Sequence, residues 1–124
     1  MKLTALLHCS FLTADLGRSS QFYESVLGLL PNPTRPDLGY PGVWYNVGAN
    51  QQIHLLQLPN PEQGLLRPLH GGRDRHVALG VDDLQALLAR LERAGIPYSL
   101  SKSGRSALFC RVPDGNALEF IKVD

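Results

Sequence analysis

The sequence predicts an α+β fold made of two tandem β-α-β-β-β modules, and three observations lead to that prediction. An apolar, strand-like run containing a histidine occurs twice, at residues 6–12 and again at 75–81. Each run is followed, at the same distance, by an aspartate suited to the start of a helix. Each helix is then followed by short apolar runs separated by turn residues. The modules are predicted at about 1–58 and 75–124, joined by a linker at about 59–74 that holds three prolines and three glycines.

The first module begins with the run at 6–12 and continues into a helix. Asp15 follows His8 by seven positions and is predicted to cap this helix by accepting hydrogen bonds from its free backbone N–H groups. Gly28 suits the left-handed position that ends the helix. The remaining strands are predicted at about 29–30, 43–47 and 51–58, with a turn at 48–50.

The second module repeats this order. Asp83 follows His76 by the same seven positions, and Gly95 suits the end of the second helix. Between them, leucines recur at helical spacing and give the helix one apolar face. The strands that follow are predicted at about 97–101, 107–112 and 117–123, with a hairpin turn at 113–116. Tyr98 is predicted to lie in the core.

Composition and charge exclude several classes of function. Hydrophobic residues make up 44% and charged residues 19% of the 124 residues, which is typical of a globular domain. Twelve Lys and Arg against eleven Asp and Glu leave a net charge of +1, so nothing favours a nucleic-acid partner. Neither half is long enough to bury its own sheet face. We therefore expect the halves to pack together, or each to pack with a half of a second chain.

Cysteine usage and hydropathy bear on the compartment. Cys9 and Cys110 lie in apolar runs without a CxxC spacing, which favours two buried thiols in a reducing cytoplasm; a facing pair is the alternative. No apolar run approaches the roughly 20 residues of a membrane-spanning helix. The apolar N-terminal residues belong to the repeated unit and are not read as a signal peptide. The prediction is a soluble, cytoplasmic protein without a membrane partner.

Four polar residues occupy equivalent places in the two halves. His8 and His76 lie at the same place in the first strands, and aligning the last strands places His54 opposite Glu119. A polar side chain within an apolar strand is unfavourable unless it is paired or bound to a metal. Three imidazoles and a carboxylate suit a divalent ion such as zinc, nickel, manganese, cobalt or ferrous iron. The alternative is that each histidine is a hydrogen-bonded or half-exposed residue with no ligand role.

The chain resembles the vicinal oxygen chelate superfamily, the group of glyoxalases, bleomycin-resistance proteins and extradiol dioxygenases. The resemblance rests on the histidine-bearing first strands, on Asp15-Leu16 with Phe22-Tyr23 and Leu27-Gly28-Leu29, and on Asp114-Gly115-Asn116-Ala117-Leu118-Glu119-Phe120. It implies that the modules form U-shaped mixed sheets around a central cleft, the glyoxalase/bleomycin resistance/dioxygenase fold. It also implies metal ligands at His8, His76 and Glu119, and a homodimer with the metal site at a module or subunit interface.

The place of His54 distinguishes this chain within the family it resembles. Bacterial glyoxalase I enzymes have a glutamate there, and methylmalonyl-CoA epimerases have a glutamine. The resemblance implies that a metal binds two neighbouring oxygens of a small metabolite as a Lewis acid. A metal ligand or a neighbouring side chain then moves the proton, so Glu119 and His54 are the predicted catalytic residues, with His54 also a possible fourth ligand.

Other functions stay open on the same residues. His8, His76 and Glu119 form a two-His-one-carboxylate set, which is also the arrangement of non-haem iron oxygenases. Fosfomycin-type thiol transfer uses the same three ligands, but no clear phosphate-binding cluster accompanies them. Bleomycin-resistance proteins share the fold, lack a metal and bind a drug in a cleft. The prediction is therefore a metal-dependent lyase, isomerase or oxygenase, with a metal-free small-molecule-binding protein as the alternative.

Candidate substrate residues cluster around a middle strand of the first half. Arg35, Tyr40 and Trp44 lie before and within it, and Arg105 occupies the corresponding turn of the second half. Either arginine could bind a carboxylate or phosphate through a bidentate fork. The alternatives are solvated arginines in surface loops and a tryptophan buried in the core.

Overall fold

The computed structural model describes all residues, 1–124, and divides into two compact units, Met1–Pro61 and Glu62–Asp124. The first unit contains β1 (His8–Leu12), a short helix α1 (Leu16–Ser20) that continues as a π-helical turn (Gln21–Val26), β2 (Gly42–Val47) and β3 (Gln51–Leu56). The second contains a 3₁₀ turn (Gly71–Arg73), β4 (His76–Val81), α2 (Leu84–Arg93), β5 (Tyr98–Leu100), β6 (Ala107–Arg111) and β7 (Ala117–Lys122). The α+β prediction is confirmed, with one mixed sheet in each unit.

Both helices begin where the sequence predicts. The Asp15 side chain accepts a hydrogen bond from the backbone N–H of Arg18 at 3.1 Å, and the Asp83 side chain accepts one from Ala86 at 2.9 Å. Gly28 follows the first helical segment with a φ of 74°, a conformation that glycine adopts without a Cβ penalty. The π-helical turn before it was not predicted, because no residue pattern marks an i→i+5 hydrogen bond.

The first sheet has the strand order β1-β3-β2, with β1 parallel and β2 antiparallel to β3. The strand predicted near residues 29–30 is wrong. Only a single bridge forms there, between Pro31 and Tyr45. Pro31 and Pro33 lack the N–H group that a continuing ladder needs, so pairing stops after one residue.

The second sheet has the order β4-β7-β6-β5, with β4 parallel to β7 and the other neighbours antiparallel. The predicted turn at 113–116 joins β6 to β7, and its Gly115 has a φ of 91°. Val112 and Asn116 close this hairpin through a backbone hydrogen bond of 2.9 Å. The hairpin sets the register of β7 and therefore the face on which Glu119 lies.

Each unit has its own buried apolar side chains. Tyr23, Tyr45 and Ile53 are almost fully buried in the first, and Leu91 and Leu118 are fully buried in the second. Tyr98, predicted in the core, is only half-buried, because its hydroxyl reaches out to donate a hydrogen bond to Glu92 at 2.9 Å.

Both cysteines are free thiols. Cys110 is buried, and burial raises the pKa of its thiol to about 12, so the thiolate that would react is scarce at neutral pH. Burial also raises the pKa of Cys9. No helix in the structure is long and apolar enough to cross a bilayer.

Candidate functional site

The strand registers agree with the sequence alignment of the two halves. In the first unit Ser10 on β1 lies opposite His54 on β3, two residues after His8. In the second, Ala78 on β4 lies opposite Glu119 on β7, two residues after His76. His54 and Glu119 therefore occupy the same position in equivalent strands.

In the second unit, His76 and Glu119 form a close pair. The Nε2 atom of His76 lies 3.7 Å from Oε2 of Glu119, whose side chain is only 3% exposed. The Nδ1 atom of His76 lies 2.9 Å from the backbone carbonyl of Asp74. A carbonyl oxygen can only accept, so Nδ1 carries the ring proton and a neutral ring presents the Nε2 lone pair to the carboxylate. Two acceptors facing each other at this distance favour a cation between them, either a proton or a metal ion.

Asp74 holds the carbonyl that orients His76. Its carboxylate accepts a hydrogen bond from Nη1 of Arg111 at 2.8 Å and lies 3.3 Å from Nη1 of Arg67. It also accepts one from the backbone N–H of Arg75 at 2.8 Å. The hydrogen bond from Arg111 contributes most to holding the pKa of Asp74 below its usual range, and the Arg75 backbone hydrogen bond and the charges of Arg67 and Arg111 add to it, against an opposing contribution from burial. A carbonyl fixed to an imidazole Nδ1 is the arrangement that commonly orients metal-binding histidines.

Replacing Asp74 with asparagine is expected to remove a pH-dependent part of the stability. Because the folded pKa is lowered, this contribution is fully present above about pH 4, the ordinary Asp value, and is lost as pH falls through the folded pKa. At pH 7 the Asp74→Asn variant should unfold about 2 kcal/mol more easily in urea than the unmodified protein. That difference should shrink towards pH 2. The exposed Asp82→Asn change is the matched control, and an equal loss of stability in both variants would contradict the role of the arginine contacts.

Arg105, predicted as a substrate residue, lies beside the same carboxylate. Its Nη2 atom is 3.4 Å from Oε1 of Glu119, and its side chain is 58% exposed. The turn that carries it is held by Ser103, whose hydroxyl accepts from Nε of Arg105 at 3.2 Å. Glu119 thus has one imidazole and one exposed guanidinium near it, and the guanidinium can move away into solvent.

Two residues beside this pair were not predicted as part of the site. Phe109 lies opposite Glu119 in the sheet register and makes edge contacts with the rings of His70 and His76, with centroids 4.9 and 5.2 Å away. His70, assigned to the linker by the sequence, lies within hydrogen-bond distance of the hydroxyl of Ser99, at 2.8 Å from Nδ1. The repeat could have indicated Phe109, because it lies opposite Glu119 just as Trp44 lies opposite His54 in the first unit.

In the first unit, three rings form a stack. The His8 and His54 rings lie 4.0 Å apart at an angle of 12°, and the Trp44 ring lies 4.3 Å from the other side of His54 at 8°. A ring nitrogen binds a metal in the plane of its ring. Two imidazoles stacked face to face direct their lone pairs along parallel planes, so they do not converge on one ion in this arrangement.

A chain of hydrogen bonds fixes the proton on His54. The backbone N–H of Thr34 donates to Oδ1 of Asn32 at 2.8 Å, and the Asn32 amide then donates to Oδ1 of Asn46 at 2.9 Å. The Gln52 amide also donates to Asn46, at 3.3 Å, which leaves its Oε1 to accept from Nε2 of His54 at 2.8 Å. Because the series begins at a backbone N–H, these assignments place the proton on Nε2 of His54 and the lone pair on Nδ1.

The surroundings of His54 favour the neutral form of its ring. Burial lowers the pKa of the imidazole, and the nearby charges of His8 and Arg35 lower it further. A neutral ring with a free Nδ1 can accept a proton or bind a metal.

The predicted site residues therefore fall into two groups. His8, His54 and Trp44 lie together in the first unit, where they line a cavity of about 700 Å³ with Arg35 and Tyr40. His76, Glu119 and Arg105 lie together in the second unit. The structure contains no group of three or more His, Cys, Asp or Glu side chains arranged to hold one metal ion.

The chain is similar to known proteins along most of its length. Residues 5–120 match the family described as the Glyoxalase/Bleomycin resistance protein/Dioxygenase superfamily. The chain is 31% identical to Glyoxylase I 4 of Arabidopsis thaliana, over 100% of this chain and 74% of the relative. It is 29% identical to a lactoylglutathione lyase of Haemophilus influenzae, over 94% of this chain and 91% of the relative. The structure of a trypanothione-dependent glyoxalase I of Leishmania major aligns with a TM-score of 0.71 at 25% identity, covering 97% of this chain and 87% of that one.

Proposed function

We propose, since the chain belongs to the Glyoxalase/Bleomycin resistance protein/Dioxygenase superfamily, that it is a metal-dependent lyase of the glyoxalase type. Two relatives with names of that class, a glyoxylase I and a lactoylglutathione lyase, match nearly its full length. The reaction class is proton transfer next to a carbonyl group of a small oxygenated metabolite.

The observation that carries this proposal is the pairing of His76 with Glu119. The imidazole is oriented by a backbone carbonyl so that its Nε2 atom faces a buried carboxylate at 3.7 Å. A buried carboxylate is unfavourable unless it is paired. The only guanidinium near it, that of Arg105, is more than half exposed and therefore compensates the buried charge weakly. A divalent ion would compensate it more strongly.

Two of the four proposed ligands, His76 and Glu119, lie close enough together to bind one divalent ion. Nε2 of His76 and the carboxylate of Glu119 would bind the ion, with His8 as the third ligand that the family resemblance implies. His54 is hydrogen-bonded through Nε2 and stacked between two rings, so only its Nδ1 is available. Zinc, nickel, manganese, cobalt or ferrous iron would suit nitrogen and oxygen ligands of this kind. When bound, such an ion would polarise neighbouring substrate oxygens as a Lewis acid.

His54 and Glu119 are the groups proposed to move the proton. Nδ1 of His54 carries a free lone pair on a neutral ring, so it can accept a proton from the carbon beside a carbonyl group. The electron pair of the broken C–H bond moves towards the carbonyl oxygen. The proton is then delivered to the former carbonyl carbon while the hydroxyl proton of the first carbon passes to the oxygen of that former carbonyl, and His54 is regenerated as a base. Glu119 could act in the same way through a carboxylate oxygen that does not hold the ion.

A homodimer is also part of the proposal. Several leucines at the start of the chain and in the segment before the 3₁₀ turn are exposed, among them Leu3, Leu6, Leu7, Leu66 and Leu69. Exposed apolar side chains in this number are typical of a surface that a partner covers. Light scattering in solution should give twice the mass of one chain, and the mass of a single chain would refute this part.

Metal analysis of the untagged protein, followed by an activity assay, tests the function. We expect about one equivalent of a divalent ion per chain after reconstitution. We also expect the loaded protein to form a thioester from glutathione and a 2-oxoaldehyde. Oxygen uptake with a catechol in place of this activity would favour the dioxygenase alternative. If no ion binds after incubation with zinc, nickel, manganese, cobalt and ferrous iron, the proposal fails.

A metal-free binding protein is the second candidate, and the ring stack of the first unit favours it. His8, His54 and Trp44 form an aromatic stack that lines a cavity, and their contacts with one another are made by the rings alone. A protein of this kind would bind its ligand equally well with and without a chelator. Loss of binding on chelation would exclude it.

A further inference from the structure

The cavity of the first unit carries one formal charge. Among the residues that line its volume of about 700 Å³, Arg35 is the only arginine or lysine, and no aspartate or glutamate is present. The polar remainder consists mainly of amide side chains, including those of Asn32, Asn46 and Gln52. A cavity with a single cation and no acid favours an anionic ligand.

The guanidinium of Arg35 is held in place but is not neutralised. Its Nη2 atom donates to the backbone carbonyl of Tyr40 at 2.9 Å, and the Tyr40 ring centroid lies 5.3 Å from its Cζ. Arg35 takes part in none of the ion pairs of the structure. Its Nε atom is buried and has no hydrogen-bond partner. The guanidinium therefore has no carboxylate partner within the structure, and its charge is left for an anion bound in the cavity.

Gly42 makes the space that the guanidinium occupies. A Cβ atom at this position would lie 2.7 Å from Nη2 and 3.0 Å from Cζ of Arg35, and 2.5 Å from the backbone oxygen of Leu55. Any other residue at position 42 would therefore displace the guanidinium. Gly42, the first residue of β2, therefore leaves room for both the Leu55 carbonyl and the Arg35 guanidinium.

One wall of the same cavity carries a stack of aromatic rings, whose free faces are the outer ones of His8 and Trp44 at its two ends. Trp44, His54 and His8 stack within 12° of parallel and all contribute to the lining. Flat conjugated groups pack on such surfaces in offset stacks, and a saturated ring does not gain the same contact.

We propose that this cavity binds an aromatic carboxylate, with the carboxylate on the guanidinium of Arg35 and the flat ring against the stack of His8, His54 and Trp44. A role of this ligand as the substrate rests on the proposed function. Binding does not require a metal, so it is measured in the presence of a chelator. A protein that binds no metal at all would give the same result in this experiment.

Trp44 is the only tryptophan of the chain, so intrinsic fluorescence reports on this cavity directly. The metal-free protein would be titrated with benzoate, with the neutral benzamide and with the saturated cyclohexanecarboxylate. We expect benzoate to change the emission with saturation, and both analogues to bind at least about tenfold more weakly. Equal binding of benzoate and benzamide would overturn the charge argument. Equal binding of benzoate and cyclohexanecarboxylate would overturn the stacking argument, and no saturable binding would overturn the proposal.

Variants of Arg35 separate a ligand contact from general electrostatics. Arg35→Gln should weaken benzoate binding about tenfold or more and leave benzamide binding unchanged. Arg35→Lys, which keeps the charge but loses the planar fork, should recover part of the affinity. Arg18→Gln, an exposed change outside the cavity, is the matched control and should bind as the unmodified protein does. If Arg35→Gln binds benzoate as tightly as the control does, Arg35 does not contact the ligand. If Arg35→Gln does not fold, the affinities of Arg35→Lys for benzoate and benzamide provide the same test.

Discussion

Glu119→Gln is expected to lower divalent-metal affinity by about a hundredfold or more and to abolish lyase activity of the metal-loaded protein. The substitution keeps the size of the side chain but removes the charge that faces Nε2 of His76. Replacing even an indirect partner of a metal ligand commonly lowers affinity by about 10- to 100-fold, and loss of a charged ligand should exceed that. Isothermal titration with zinc or nickel measures the affinity without relying on turnover.

The matched control for this experiment is Glu92→Gln. Glu92 lies in the same unit and is exposed, and its carboxylate accepts from Tyr98 without any contact to His76. Its metal affinity should equal that of the unmodified protein. If Glu119→Gln binds metal as tightly as the control does, Glu119 is not a ligand, and its pairing with His76 and Arg105 is structural.

Leu118→Ala is expected to reduce the free energy of unfolding by about 2–5 kcal/mol. Leu118 is fully buried on β7, between Val77 of β4 and Cys110 of β6 in the register, on the face opposite Glu119. The truncated side chain leaves a cavity that a sheet paired on both sides cannot close. The free energy of unfolding of a typical domain is about 5–15 kcal/mol, so this loss is a large fraction of the total.

Urea unfolding followed by circular dichroism measures this loss, and Leu100→Ala supplies the comparison. Leu100 lies on the edge strand β5 and is 61% exposed, so its truncation should change stability by less than about 1 kcal/mol. Similar unfolding midpoints for the two variants would mean that the centre of the second sheet contributes no more to stability than its edge.

The architecture was largely predictable because its signals are local. Asp15 and Asp83 cap their helices as expected, and the left-handed glycine that follows each helix has the conformation that the pattern requires. The strand near residues 29–30 was not predictable in the same way. Two apolar leucines favour a strand, but the prolines just after them remove backbone donors, and the outcome depends on which of these effects dominates.

The candidate site was predictable only as far as the repeat extends. Strand alignment alone placed His54 and Glu119 at equivalent positions, and the registers agree. Phe109 was missed because an aromatic residue in an apolar strand carries no polar signal. The role of Asp74 was missed for a different reason. Its contact with His76 is made by a backbone carbonyl, and its partner Arg111 lies 37 positions away in the chain.

The orientation of side chains around His54 could not be inferred from sequence at all. Whether two aligned imidazoles converge or stack depends on their rotamers, which follow from packing against Trp44 and from the hydrogen bond to Gln52. The alignment predicted that His8 and His54 are close, and the structure adds that their rings are parallel.

The equal registers of the two sheets have a consequence for the history of the chain. A single ancestral module, copied and joined to itself, would have offered the same two strand positions twice and therefore a symmetric pair of half-sites. In the present chain one copy has an imidazole between aromatic rings at the second position, and the other has a buried carboxylate beside an imidazole. His54 and Glu119 thus give the two copies different chemistry at equivalent positions of strands that are paired in the same register.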